Sequence, residues 1–131
     1  MLAQYPLTAL TLVAALLIYF GFSVIVGRAR GIWNVPAPQT SGHPEFDKRY
    51  RVQMNTLEQL ALFVPGVFLC APVEGDVFTA SVAAVWCVGR ILFALGYYKD
   101  PSKRSLGFAL TLFPGLVLVL AGAQGAIAAL A

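Results

Sequence analysis

Phe46-Asp47-Lys48-Arg49-Tyr50-Arg51-Val52-Gln53-Met54-Asn55-Thr56-Leu57-Glu58-Gln59 carries a charged surface segment without a break into an apolar helix and takes polar groups along. At 100° per residue, Arg51, Asn55 and Glu58 fall within about 60° of one another and form one polar stripe. Charged groups at membrane depth cost roughly 2.5 to 3.5 kcal/mol each even on insertion scales, so they normally face protein or a water-filled cavity and mark a functional site. The stripe is therefore expected to point inward. The alternative is an internal salt bridge that helps helices pack.

Outward from this stretch the chain is apolar. With 131 residues, 59% hydrophobic and only 11% charged, it is too apolar for a soluble domain of this size. Four blocks, 6 to 27, 54 to 73, 77 to 98 and 106 to 130, are long enough for a hydrocarbon core that takes about 20 helical residues. The first block holds no charge, follows no basic segment and precedes no small-residue cleavage site, so it reads as a retained span, not a signal peptide. Residues 31 to 44 have the Pro, Gly, Ser and Asn content of an irregular connection, and Pro44 suits the first position of helix 2. Ser105 reads as the N-cap of the last helix. The expected fold class is all-α, an integral membrane four-helix bundle. It forms a single transmembrane domain over 1–131, with helices at about 6–27, 44–73, 77–98 and 105–130.

Two features concern the interior. Pro65 and Gly66 interrupt the apolar half of helix 2, where a kink is tolerated if neighbours satisfy the freed backbone. Arg90 shares a face of helix 3 with Tyr97 and approaches the depth of Glu58 from the same membrane side, so an ion pair between Glu58 and Arg90 is available. In helix 4 the spacings Gly122 to Ala126 and Gly125 to Ala129 allow close helix approach.

Charge orients the chain. Of nine Lys and Arg, Arg28, Arg30, Lys48, Arg49, Arg51, Lys99, Lys103 and Arg104 lie in or beside the connections after helices 1 and 3, and only Arg90 lies deep in a span. The positive-inside rule then puts loops 28–45 and 99–104 on the cytoplasmic side and both termini on the opposite side. The net charge of +3 is a topology signal, with no nucleic-acid partner implied. His43 has no ligand-spaced Cys or carboxylate pair, so it reads as a surface residue and no metal site is expected. Cys70 and Cys87 sit at different depths, which argues against a disulfide.

Arg30, Arg51, Asn55, Glu58, Arg90, Tyr97, Arg104 and Ser105 collect at one end of the bundle. Several cations, a carboxylate suited to an ammonium group and amide or hydroxyl donors fit a zwitterion with two carboxylates. Glutathione meets that description. Ser23, one turn before the end of helix 1, reads by itself as a packing residue bonded to the preceding turn.

The chain resembles the MAPEG family, the microsomal glutathione transferases and the related leukotriene and prostaglandin synthases. The resemblance rests on Arg51-Val-Gln-Met-Asn55-Thr-Leu-Glu58, on Arg90 with Tyr97, on Arg104-Ser105 and on Arg30, and it covers the whole chain. It implies a homotrimer of four-helix subunits with one glutathione, as co-substrate, between neighbouring subunits on the cytoplasmic side. By resemblance, Arg51, Asn55, Glu58 and Tyr97 hold glutathione from one subunit, while Ser23, Arg30 and Gln53 reach it from the next. Gln53 lies about 160° from the polar stripe on the helix wheel, in keeping with that division. Arg104 matches the arginine that stabilises the glutathione thiolate and Ser105 a hydroxyl near the sulfur. Phe93 departs from the Tyr or His of several relatives, and Gln59 from an aromatic found in some.

The implied activity is that of a glutathione transferase, with peroxidase activity as a companion: activated glutathione attacks a lipophilic electrophile or lipid hydroperoxide arriving from the membrane lipid. Two alternatives stand beside it. A non-catalytic glutathione- or lipid-binding membrane protein would use largely the same residues. A small multidrug exporter would be expected to carry an intramembrane carboxylate, often in helix 1, and helix 1 is uncharged.

Overall fold

The computed structural model describes Met1–Ala131 throughout. Four long helices follow one another: α1 Pro6–Ile32, α2 Pro44–Glu74, α3 Asp76–Lys99 and α4 Ser105–Ala129, with a short 3-10 helix, Pro101–Arg104, leading into α4. The shortest, α3, has 24 residues and spans about 36 Å at 1.5 Å per residue, longer than a hydrocarbon core of about 30 Å. All four are long and apolar enough to cross a membrane.

Local chemistry sets the ends. Proline occupies the first position of both α1 and α2, where its missing N–H leaves no bond unmade. His43 is more than a surface residue: its Nδ1 accepts the Glu45 backbone N–H at 3.1 Å, and its ring stacks on Trp33 at 5.6 Å. α1 runs to Ile32, five residues beyond the expected 27, because Arg28 and Arg30 suit a helix C-terminus and nothing breaks the helix before Asn34, at φ 53. Between α2 and α3 only Gly75 is non-helical; its φ of 85 is a conformation that other residues adopt at a penalty. Ser105 is not an N-cap. Arg104 before it is already helical, and Asp100 caps the fused 3-10 turn by accepting the Ser102 N–H at 3.0 Å. That bond holds the Asp100 carboxyl below its ordinary range. α2 continues through both Pro65 and Pro72.

Across the bundle, Asp76 at the head of α3 accepts the Leu7 and Thr8 backbone N–H groups at 3.0 and 2.7 Å. These belong to the first turn of α1, which has no side-chain cap of its own. The core draws on all four helices: Ala15, Leu60, Phe63, Val67, Cys70, Ala83, Trp86 and Leu118, with Phe63 stacked on Trp86 at 4.2 Å. Cys70 and Cys87 are free thiols. Only 30 of 131 residues are buried, and large apolar side chains such as Leu10, Leu17, Phe20, Phe113 and Leu120 form the outer wall. Such a wall suits lipid or further protein, not water.

α3 and α4 make the closest approach. A Cβ at Gly89 would lie 2.7 Å from the Leu110 carbonyl carbon, and one at Gly107 would run into the Phe93 backbone. The bare backbone at these two positions lets the helices touch. The expected small-residue contacts deeper in α4 also appear, with Gly122 against Leu69 and Gly125 against Val73 of α2.

Candidate functional site

The buried face of α2 is centred on Val52, Thr56, Leu60, Phe63, Val67 and Cys70. On the helix wheel, Arg51, Asn55 and Glu58 lie about 130° from its centre. The stripe therefore does not point into the chain's own core, as charge cost alone led one to expect. The Arg51 and Glu58 side chains are 57% and 58% exposed, and their ion pair is loose at 3.8 Å. Asn55, on the inner edge of the stripe, is half-buried.

Beside the stripe lies a cavity of about 540 Å³, lined by Arg51 and Asn55 of α2, Phe93 and Tyr97 of α3, and Arg104, Ser105 and Phe108 around the head of α4. Its size falls within the roughly 300–1,000 Å³ of small-molecule sites. The Gly107 contact brings α4 onto α3 here and sets Phe93, Tyr97 and Phe108 as one aromatic wall, with Phe93 5.6 Å from Tyr97 and 6.4 Å from Phe108. Arg104 is exposed; one nitrogen donates to the Pro101 carbonyl at 3.4 Å, leaving the rest of its fork free. Ser105 is exposed as well.

Arg90 lies behind this wall, fully buried. Its expected ion pair with Glu58 does not form: the two match in depth, but Glu58 is on the outer flank of α2. Arg90 instead donates to Thr111 Oγ1 at 2.9 Å, Asn55 Oδ1 at 2.8 Å and Thr56 Oγ1 at 3.2 Å, and sits 4.3 Å from the Phe93 ring centroid. Its Nη2 has no partner. Because Asn55 gives its carbonyl to Arg90, its amide N–H₂ is left as a donor at the cavity. No carboxylate neutralises Arg90, so the cavity floor carries a positive charge.

The remaining sequence-predicted residues lie elsewhere on the single chain. Gln53 Nε2 donates to Ser23 Oγ at 2.9 Å, joining α2 to α1 on the opposite flank. Ser23 Oγ in turn donates to the Tyr19 carbonyl, the back-bond expected of it. Arg30 donates to the Val35 and Gln39 carbonyls at 3.3 and 2.6 Å and lies over Phe46 at 5.0 Å, which ties down the first connection. The sequence reading thus finds five of the seven lining residues as site candidates. Phe93 entered it only as a departure, and Phe108 was missed, although its place one turn after Ser105 puts it on the same side of α4.

Four apolar spans with a cationic, aromatic-walled cavity at one end define a multi-pass membrane protein. The chain belongs to the MAPEG family, whose family model matches residues 7–124. It is 44% identical over 112 residues to the uncharacterized protein sll1147 of Synechocystis sp., covering 86% of this chain and 82% of that protein. To microsomal glutathione S-transferase 2 of Homo sapiens it is 34% identical, covering 79% and 71% of the two chains. To leukotriene C4 synthase of Mus musculus it is 36% identical, covering 80% and 66%.

Proposed function

We propose that this protein is a membrane-bound glutathione transferase, with glutathione peroxidase activity on lipid hydroperoxides. One observation carries the reading: Arg51, Asn55, Tyr97, Arg104 and Ser105 line one cavity at the end of an apolar bundle, in a chain related to glutathione-named enzymes. The guanidiniums of Arg51 and Arg104 suit carboxylate and thiolate, the Asn55 amide and Tyr97 hydroxyl supply donors, and Glu58 beside Arg51 suits the ammonium group.

The site is completed in a homotrimer. Glu58 and Arg51 stand exposed on the single chain, while Ser23, Arg30 and Gln53 occupy another flank; a neighbour presenting that flank closes the cavity. The glutathione site lies on the cytoplasmic side together with the connections 28–45 and 99–104, since the clustered cations lie there.

A free thiol of pKa about 8.5 is only a few per cent thiolate at neutral pH. Lowering that pKa by about two units takes roughly 2.7 kcal/mol of preferential anion stabilisation. Arg104, at the positive N-terminal end of α4, supplies it together with the Ser105 hydroxyl, and Arg90 behind the wall adds to the field. The thiolate sulfur then attacks an electrophilic carbon arriving from the bilayer: an S–C bond forms, and the leaving group departs with the electron pair. With a hydroperoxide, sulfur attacks the terminal oxygen and the O–O bond breaks. The released alkoxide takes a proton to become the alcohol. A second glutathione converts the sulfenic acid to disulfide and water.

The test is the ultraviolet absorbance of bound thiolate. Glutathione added to the purified protein should give a thiolate band with a midpoint well below pH 8.5, and Arg104→Ala should raise that midpoint while leaving affinity within a few-fold. Turnover with a model electrophile should fall in proportion. Glutathione bound with no thiolate band at neutral pH would reduce the protein to a binding protein.

A further inference from the structure

A largely apolar pocket carrying two arginines lies where the first connection leaves the bundle. It has a volume of about 200 Å³ and is lined by Ile25, Arg28, Ala29, Ile32, Trp33 and Arg49. On α1, Ile25, Arg28 and Ile32 lie between about 140° and 200° around the wheel from Ser23, and Arg30 lies within about 20° of Ser23. The pocket therefore occupies the face of α1 opposite to the Ser23 and Arg30 flank and belongs to a different site from the cavity beside Arg51.

Its two cations differ in how they are held. Arg49 is fixed on three sides. One nitrogen donates to both the Glu45 carbonyl and carboxylate at 2.9 Å, and the guanidinium sits 4.8 Å from the Trp33 ring and 5.0 Å from the Tyr98 ring. The rest of its fork makes no bond within the chain. Arg28 is exposed and has no ion-pair partner. Glu45 is shared with Lys48 at 3.0 Å and Asp100 lies within the field of Lys48, so two carboxylates stand against the three cations Arg28, Lys48 and Arg49 and the patch keeps a surplus of positive charge.

The level of the pocket identifies its guest. Arg28 follows directly on the uncharged stretch that ends at Gly27, so its guanidinium lies where hydrocarbon gives way to headgroups. Trp33 is of the residue type enriched at that boundary. Ile25 and the 61% exposed Ile32 present aliphatic surface next to the cations. A soluble anion has no use for that surface, and an acyl chain has no use for the cations. A molecule with a phosphate joined to acyl chains uses both, and arginine's planar fork suits phosphate.

We propose that this pocket binds one anionic glycerophospholipid, its phosphate between Arg28 and Arg49 and its glycerol and upper acyl carbons against Ile25, one turn deeper on α1. The binding ties the ends of α1 and α2 to the bilayer surface. It is independent of the glutathione reading, since the two sites share no residue.

The probe is native mass spectrometry of the protein exchanged into detergent with equal amounts of phosphatidylglycerol and phosphatidylcholine. The wild-type protein should retain phosphatidylglycerol selectively, and Arg28→Gln should lower its occupancy about fivefold, as expected for one cation at a membrane surface. Arg28→Lys should retain most of it. Arg28 has no ion-pair partner in the chain, so both variants should melt at the wild-type temperature, which verifies folding. Equal retention by Arg28→Gln and wild type, or of the two lipids by wild type, overturns the proposal. So does displacement of phosphatidylglycerol by inorganic phosphate, which would make the pocket a site for soluble anions.

Discussion

Asn55 links two layers of charge. Its carbonyl accepts from the fully buried Arg90, and its amide is left for the cavity beside Arg51. A buried cation facing only neutral acceptors is an unfavourable arrangement for stability alone. It becomes useful where an anion binds nearby. The Arg51–Glu58 pair is different: at 3.8 Å with both groups more than half exposed, such a pair contributes about 0–1 kcal/mol. Glu58→Gln and Arg51→Ala should therefore barely change the melting temperature, yet each should weaken glutathione binding at least tenfold, about 1.4 kcal/mol, by removing a charge-assisted contact. Calorimetric titration beside thermal unfolding checks both halves. Variants that melt early but bind normally would make the stripe a packing device. Residue types and spacing made this stripe legible in the sequence. Its direction was not legible, because Leu57 on the outside and Leu60 on the inside are the same residue type, and in a membrane hydrophobicity does not separate lipid-facing from core-facing positions.

At the scale of helices, the number and order of spans could be read directly, since blocks of about 20 apolar residues have few other readings. The ends could not. α1 outruns its apolar block because helix propensity does not stop where hydrophobicity does, and no local pattern marks Asp76 as the cap of α1, 68 residues away from Thr8. The two ends of the bundle separate stability from binding. Asp76→Ala should lower the melting temperature, through two lost N–H bonds at the α1 terminus. Glutathione affinity should be unchanged, because the cavity at Tyr97 lies about 30 Å along α3. Gly107→Leu should lower both, since its side chain would collide with the Phe93 backbone and part the helices that carry Phe93 and Phe108. Thermal unfolding and calorimetry on the two variants check the contrast. Loss of binding in correctly folded Asp76→Ala would contradict it.

At the scale of the whole molecule, the apolar outer wall suits lipid or further protein alike. The cavity is bordered on α2 by exposed Arg51 and Glu58, whereas Gln53 and Ser23 form their pair on another flank. No helical period reports this, because a subunit contact and a lipid contact select the same apolar side chains within a bilayer. The proposed trimer makes each site from two chains, and that division can be tested by mixing. Arg104→Ala disables the half of the site around α4, and Gln53→Glu puts a carboxylate against an anionic guest from the neighbouring half. Each variant alone should turn over slowly. In a ring closed by one repeated interface, a site is intact when a Gln53→Glu chain supplies the α4 half and an Arg104→Ala chain supplies the other. Random co-assembly in equal amounts produces that arrangement at about a quarter of the sites. Co-expressed variants should accordingly recover about a quarter of wild-type turnover, and proteins purified separately and mixed without subunit exchange should recover none. Recovery absent from co-expressed, mixed oligomers would place both residues in one chain's site and remove the neighbour from the mechanism.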